Sequence, residues 1–366
     1  MDSLPQEIID QIIDNLPRFS LRSSSLVAKR WRNRSQKRAL DVIRFDSELR
    51  VIIWHIRTRE DPGRIPSYIQ VAKFDRIAKW DDPALFGRVL QNFTSLTTLW
   101  ISVTVLPDEM LEQILCGEFG KTITTLHLSY PRCSLSTAIS MIIAFPNLQN
   151  LLIDSLKTAS TEATPTCRVL PQRRTLNFLQ VVGCVDGVAQ ALANLHFAPH
   201  HLVLEVQSRN IRNLLVVSAA NIVELELIGM CSLCVHRESA NNDYTEHPEQ
   251  STSHPTNLPP FPALTSLKLC VSRSCPSLHL VNTLSSISSA RALASITLQF
   301  WWWCSPRPDP PSVWNHLDRW LVQMARNTTV EGGLVLNLVT WQENGVPKSF
   351  LPTFQEVGKI IPDNYP

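Results

Sequence analysis

Cysteines and histidines at short spacing are the residues best placed to do chemistry in this chain. Cys231-Ser-Leu-Cys234-Val-His236, with Cys270 and Cys275 further on, has the spacing at which two thiolates share a tetrahedral zinc and a second pair closes the site. A plainer reading stands beside it, because Cys231 and Cys270 fall at or just after expected strand ends, where small buried thiols are common. The nine cysteines are an odd number without a regular frame, which reads as reduced thiols and no disulfides. His127, His196, His200 and His201 lie in or near the repeating segments described below and read as packed or solvated. There is no phosphate-cradling glycine loop, Gly-x-Ser-x-Gly elbow or His-Glu-x-x-His pair, and 11 glycines is few for a nucleotide enzyme. The expectation is no active site, no cofactor and no metal.

Composition sets the class. A chain of 366 residues, 44% hydrophobic and 18% charged, is long enough to bury a large core and reads as globular. No apolar run reaches the ~18 residues of a spanning helix, and the start lacks the basic region and apolar core of a secretory signal. An intracellular chain is expected, cytoplasmic with nuclear entry open, and without a membrane partner. Asn92-Phe-Thr and Asn327-Thr-Thr match the glycosylation acceptor pattern, which is common by chance and matters only on a secretory route. The net charge of +2 argues against a dedicated nucleic-acid binder, yet Arg18 to Arg38 holds eight basic residues and no acid. That block reads as an import signal, a nucleic-acid patch or, more simply, the solvated face of a helix.

The first elements are helical. Ser3 can cap a helix while Gln6 folds back onto the cap, and Pro5 sits in the first turn, where its missing N–H costs nothing. From Leu4 the apolar residues Ile8, Ile9, Ile12, Ile13 and Leu16 form a stripe wide enough to face two things at once, and Pro17 ends it. A second helical pattern carries Leu21, Leu26, Val27 and Trp31, with Lys29, Arg30, Arg32, Arg34, Lys37 and Arg38 between and after them. About forty residues of short helices cannot bury so much Ile, Leu and Trp internally. A partner is implied.

These residues resemble the F-box. The match is Leu-Pro-x-Glu-Ile from Leu4 to Ile8, a helix with Ile12 and Leu16, and Ser-Leu-Val-x-Lys-x-Trp-Arg from Ser25 to Arg32. The tail from Arg34 to Phe45 resembles the continuation seen in F-box proteins of filamentous and mushroom-forming fungi. Val27 is preceded by Leu26 and Ser25, where many members carry a cysteine nearby. The resemblance covers about an eighth of the chain. It implies docking of a Skp-family adaptor through Leu4, Pro5, Ile8, Ile12, Leu16, Leu26, Val27 and Trp31, and through that adaptor a cullin–RING ubiquitin ligase. The structural alternative is a helical hairpin packed on the domain that follows.

From Leu96 onward a pattern of the form apolar-x-x-apolar-x-apolar recurs. It is seen at Leu96-Leu99-Ile101, Ile123-Leu126-Leu128, Leu148-Leu151-Ile153, Leu176-Leu179-Val181, Ile222-Leu225-Leu227, Leu264-Leu267-Leu269 and Leu293-Ile296-Leu298. A further copy lies near Leu202-Leu204-Val206 with its middle position at about 204, and a last one at Leu334-Leu336-Leu338. The intervals, 27, 25 and 28 residues between 99, 126, 151 and 179, are those of leucine-rich repeats. Helical stripes alternate with these strands: Phe86, Val89, Leu90 and Phe93; Met110, Leu111, Ile114 and Leu115; Leu135, Ile139, Ile142 and Ile143; Ile211, Leu214 and Leu215. The chain resembles the irregular leucine-rich repeats found behind F-boxes, departing from their consensus at the Asn/Cys position, which is Thr104, Pro131 or Cys184 in different copies.

The expected fold is α/β: a short all-helical F-box over 1–50, connecting helices over 51–94, and a leucine-rich-repeat-like solenoid of parallel strands plus helices over 95–366. The polar run from His236 to Pro260 and the smaller insert from Lys157 to Arg174 read as surface loops. Residues 300–366 read as a carboxy-terminal cap, with Trp301, Trp302 and Trp303 closing the solenoid under a helix capped by Ser312 and faced with Leu317, Trp320, Leu321 and Met324.

In such strands the residues between the inward apolar ones point to the open face. They include Thr98, Trp100 and Ser102, then Thr125, His127 and Ser129, then Asn150 and Asp154, followed by Gln180, Glu205, Glu224, Glu226 and Lys268. Trp100, His127, Asp154, Glu205, Glu224 and Glu226 are the expected client contacts, and the carboxylates favour a segment bearing Lys or Arg. The reading is a substrate adaptor of a Skp–cullin–F-box ligase that holds a protein client and is not itself an enzyme. Its alternative is a scaffolding repeat protein that binds the Skp-family adaptor without ligase activity.

Overall fold

One strand and one helix cannot cover their own apolar faces, so a chain of such units is stable only when each seats its inward side chains against the next. The computed structural model describes residues 4–60, 65–77, 80–103, 114, 118–129, 132–158, 174–183, 187–205, 211–228, 258–272, 287, 290–301, 311–340, 351 and 354–364. The chain divides into two compact units, Met1–Ala163 and Thr164–Pro366.

The first unit opens with helices α1 (Gln6–Asn15), α2 (Arg18–Val27) and α3 (Lys29–Ala39). Pro5 is the N-cap of α1, no side chain caps it, and Gln6 turns instead to Asp10 at 2.9 Å. Ser3 lies outside the described residues. Parallel strands follow: β1 (Val42–Phe45), β2 (Val71–Ile77), β3 (Thr98–Val103), β4 (Thr125–Ser129) and β6 (Asn150–Asp154), each paired with the next. Arg132–Cys133 (β5) and Lys157–Thr158 (β7) form a separate small pair. The register stacks Ile43, Ala72, Leu99, Leu126 and Leu151 in one row and Phe45, Phe74, Ile101, Leu128 and Ile153 in another. Apart from half-buried Ile43, every member is buried.

Between strands lie α4 (Glu48–Glu60), α5 (Ala84–Gln91) and α6 (Leu135–Ala144). Helix α6 starts at Ser134, whose hydroxyl accepts the Thr137 N–H at 3.0 Å and satisfies one orphan donor of the first turn. Phe74 is the hub of an aromatic cluster, its ring centroid 5.1 Å from Phe45 and 4.7 Å from Phe86, with Trp80 5.8 Å from Phe86.

A backbone motif precedes β2, β3, β4 and β6. The Asp41 carbonyl accepts the Gln70 and Val71 N–H groups at 2.8 and 2.9 Å, and the Gln70 carbonyl accepts those of Thr97 and Thr98 at 2.9 and 3.0 Å. Thr97 does the same for Thr124 and Thr125, and Thr124 for Gln149 and Asn150.

The described residues of the second unit include the parallel strands β8 (Arg174–Val182), β9 (Phe197–Glu205), β10 (Glu224–Ile228), β11 (Ser266–Ser272), β12 (Ser295–Trp301), β13 (Val335–Thr340) and β14 (Lys359–Asn364). Leu179, Leu202, Leu225, Leu267, Ile296 and Leu336 form one inward row, and Val181, Leu204, Leu227, Leu269, Leu298 and Leu338 the other. The carbonyl motif recurs at Val223, which takes Thr265 and Ser266, and at Thr265, which takes Ala294 and Ser295. Its helices are α7 (Gly187–Asn194), α8 (Ile211–Ser218), α9 (Pro311–Asn327) and α10 (Phe354–Val357).

The structure is thus three short helices followed by parallel strands with intervening helices, the expected class, and four details differ. The strands start at Val42, inside the stretch assigned to the F-box, and continue through the segment read as connecting helices. Leu202, not residue 204, stands in the middle position, in line with Leu179 and Leu225. His196, just before β9, takes a left-handed conformation with φ 54. Helix α9 buries Leu317, Trp320, Leu321 and Met324 as expected, but it starts at Pro311, so Ser312 is inside it, and two more strands follow it. Trp302, Trp303 and residues 236–257 lie outside the described residues, as does the Trp301 side chain.

Phe74 is fully buried among aromatic rings, so Phe74→Ala should destabilise the first unit by about 3–5 kcal/mol, read as a lower urea midpoint in tryptophan fluorescence.

Candidate functional site

Helix α1 divides its apolar stripe between two faces. Ile9 and Ile13 are buried at 1% and 0% exposure and cluster with Leu21 of α2, with Leu16, Trp31 and Ala39 packed against them. One residue earlier in each turn, Ile8 and Ile12 stand 40% and 38% exposed. A step of one residue rotates a side chain about 100° around a helix, so adjacent isoleucines face opposite environments.

The interior is locked by polar contacts. Ser24 gives its hydroxyl proton to the Leu21 carbonyl at 2.9 Å, which leaves Ser35 as donor to Ser24 across the α2–α3 packing, also at 2.9 Å. Two serines allow the helices to approach closely while satisfying each other. Arg38 donates to the Ile13 carbonyl and holds the end of α1. Arg34 forms a fork onto Asp14, with Nε–Oδ1 at 2.9 Å and Nη2–Oδ2 at 2.5 Å. That guanidinium holds the Asp14 carboxyl below its ordinary 3.8, and the carboxylate raises Arg34. Because the folded-state value is depressed, the contribution is present above that ordinary value and is lost as pH falls through the lower one. Asp14 is exposed, so the effect on stability is small.

Of the residues the sequence assigned to adaptor docking, Leu4, Ile8, Ile12, Leu26 and Val27 are exposed apolar side chains, Leu26 at 80%, and Pro5 is exposed beside them. Leu16 and Trp31 are half-buried against the helical core and reach the surface only in part. The sequence reading passed over Phe19, which at 84% is the most exposed large apolar side chain among the described residues. Its signal was its spacing of seven from Leu26, two turns along the same face of α2.

The open strand faces carry the expected client residues, but their carboxylates are already engaged. In the first unit Asp154 bonds His127 through Nε2 at 2.6 Å, and the His127 ring lies 4.1 Å from that of Trp100, over which Lys73 Nζ sits at 4.2 Å. Arg44 pairs with Asp75 on the same face. In the second unit Glu205 accepts the Gly183 N–H, Glu224 faces His201 Nδ1 at 3.1 Å, and Glu226 meets Lys268 Nζ at 2.8 Å. Neighbouring strands therefore hydrogen-bond Asp154, Glu205 and Glu224, and Lys268 offsets the charge of Glu226. Lys73 and Arg44 were missed because the repeats were counted from residue 96. Leu40-Ile43-Phe45 and Ile69-Ala72-Phe74 carry the same pattern, weakened by a small residue at Ala72.

Cys231, Cys234, His236 and Cys275 lie outside the described residues, and the Cys270 thiol is buried 3.6 Å from both Glu226 Oε1 and Gln299 Oε1. Among the described residues no three or more His, Cys, Asp or Glu side chains gather as a metal site, and no helix is long and apolar enough to cross a membrane.

The two faces of α1 give a direct contrast. Ile13→Asp places a charge in the core and should unfold the three helices, a cost of several kcal/mol, whereas Ile8→Asp should leave helicity by circular dichroism unchanged.

No curated protein matches the chain. Among solved structures it aligns with a chain of the crystal structure of the Rad7 and Elc1 complex in yeast, at 10% identity and a TM-score of 0.41, over 97% of this chain and 91% of that one. A likeness at that level carries no argument. The family comparison falls on the helices whose outward residues are described above: residues 1–42 match the F-box domain.

Proposed function

We propose that the chain is a substrate-recognition adaptor of a Skp–cullin–F-box ubiquitin ligase. Its F-box docks a Skp-family adaptor through Leu4, Pro5, Ile8, Ile12, Phe19, Leu26 and Val27, and the open strand faces hold a protein client. The observation that carries this reading is the row of apolar side chains that α1 and α2 leave outside their own core. Exposed leucine, isoleucine and phenylalanine clustered on a short helical domain mark a surface built to be covered. The chain then contributes binding and positioning, while ubiquitin transfer belongs to the ligase it joins, inside the cell.

Client recognition rests on the strand faces, where Trp100, His127 and Asp154 in one unit and Glu205, Glu224 and Glu226 in the other each stand beside a buried apolar residue of the same strand. Since each carboxylate already has a partner, a basic client segment exchanges one pairing for another. Such exchange favours selectivity over raw affinity.

Two experiments test the reading. Ile12→Asp with Leu26→Asp should abolish copurification of the Skp-family adaptor from a folded chain, since each charge enters a desolvated interface; retained copurification would sink the docking assignment. Changing Glu205, Glu224 and Glu226 together to Lys should remove client capture with the proteasome blocked and leave adaptor and cullin binding intact. Client that survives this reversal, in a variant with unaltered circular dichroism, is held elsewhere.

A further inference from the structure

The F-box carries a second surface that the docking row does not use. A cavity of about 440 Å³ opens between α1 and α3, lined by Lys29, Arg30, Arg34 and Lys37 on one side and by Asp10 and Tyr68 on the other. Gln6 and Asn33 add neutral amide donors. Four cations stand against one carboxylate in this lining, and the arrangement works against the local helix. Helix α3 begins at Lys29 with no acid in its first turn and no side chain capping it. Lys29 and Arg30 therefore sit at the positive end of the helix dipole, where cations are unfavourable and anions are stabilised.

The arginines have protein partners. Arg34 forks onto Asp14, and Arg30 donates to Gln6 Oε1 at 3.3 Å and to the Leu4 carbonyl at 3.0 Å. Lys29 and Lys37 are exposed, and neither has an ion pair among the described residues. They stand eight residues apart on one helix, about 12 Å at 1.5 Å per residue. One phosphate cannot reach both. An extended peptide covers that distance in about four residues at 3.3 Å each.

We propose that this groove binds an acidic segment of a protein partner, laid extended along α3 with carboxylates at Lys29 and at Lys37. The structure disfavours a nucleic acid as the occupant. The basic row is only two helical turns long, Asp10 lies in the groove itself, and the chain's net charge is +2, whereas nucleic-acid binding draws on many phosphate contacts over a longer track. Lys29 and Lys37 are not in the apolar docking row, so the site stands or falls independently of adaptor binding.

The test uses the full chain and a fluorescein-labelled peptide, Gly-Glu-Glu-Ser-Gly-Glu-Glu-Gly, followed by fluorescence anisotropy. The peptide should bind, and a tenfold or greater loss of affinity is expected in Lys29→Glu/Lys37→Glu, with weaker binding at higher salt. Arg212→Glu/Lys359→Glu, which changes two exposed cations of the second unit and matches the net charge, should bind like the parent. Lys29→Ala/Lys37→Ala, which adds no charge to the groove, should fall between. Undiminished binding by Lys29→Glu/Lys37→Glu, equal loss in the charge-matched control, or tighter binding of a single-stranded oligonucleotide of the same charge would each overturn the proposal.

Discussion

One backbone carbonyl accepting two N–H groups from the following repeat is the contact on which each strand array depends. At Asp41, Gln70, Thr97 and Thr124 in the first unit, and at Val223 and Thr265 in the second, the donors are the two residues at the mouth of the next strand. A parallel strand has no hairpin to fix its alignment, and a slip of one residue would turn every inward leucine outward. This turn-level pairing fixes the alignment at the mouth of the strand. The two inward rows of apolar side chains then follow, and their burial supplies the driving force. Helices of different length and quality are tolerated between strands, because what must repeat is the carbonyl and the two inward positions.

The F-box solves a different problem. Three short helices enclose only a few large side chains, chiefly Ile9, Ile13 and Leu21, and so small a core gives limited stability. The polar contacts that supplement it are local: the Ser24–Ser35 hydroxyl pair, Arg38 on the end of α1, and the Arg34 fork on Asp14. Holding the interior this way leaves the outer half of the α1 stripe free for a partner. On the strand faces, imidazole–carboxylate and lysine–carboxylate contacts likewise tie polar side chains to their neighbours.

Several features were legible in the sequence because they follow from local pattern alone. The isoleucine stripe of α1 was too wide for one interface, and the structure divides it. Apart from the copy near Leu202, the copies from Leu99 to Leu298 and the pattern at Leu336 fall on strands in the expected phase. The copies at Ile43 and Ala72 escaped notice because the first shares its residues with the F-box tail and the second puts alanine where the others put leucine. The phase of the Leu202 copy was ambiguous for a related reason: Leu202, Val203 and Leu204 are all buried, so alternation gave no answer.

What the sequence determined by itself is the kind of object this is, since short-range periodicity decides which faces must be buried: short amphipathic helices, then apolar strands alternating with helices. What only the tertiary structure decided is the character of the surfaces. Asp154, Glu205, Glu224 and Glu226 read as an acidic face along the chain. In space they meet His127, the Gly183 amide, His201 and Lys268. Those partners are more than twenty residues distant in sequence, and they become neighbours only through strand register. Charge is a property of a residue, whereas potential depends on every group that folding brings near it.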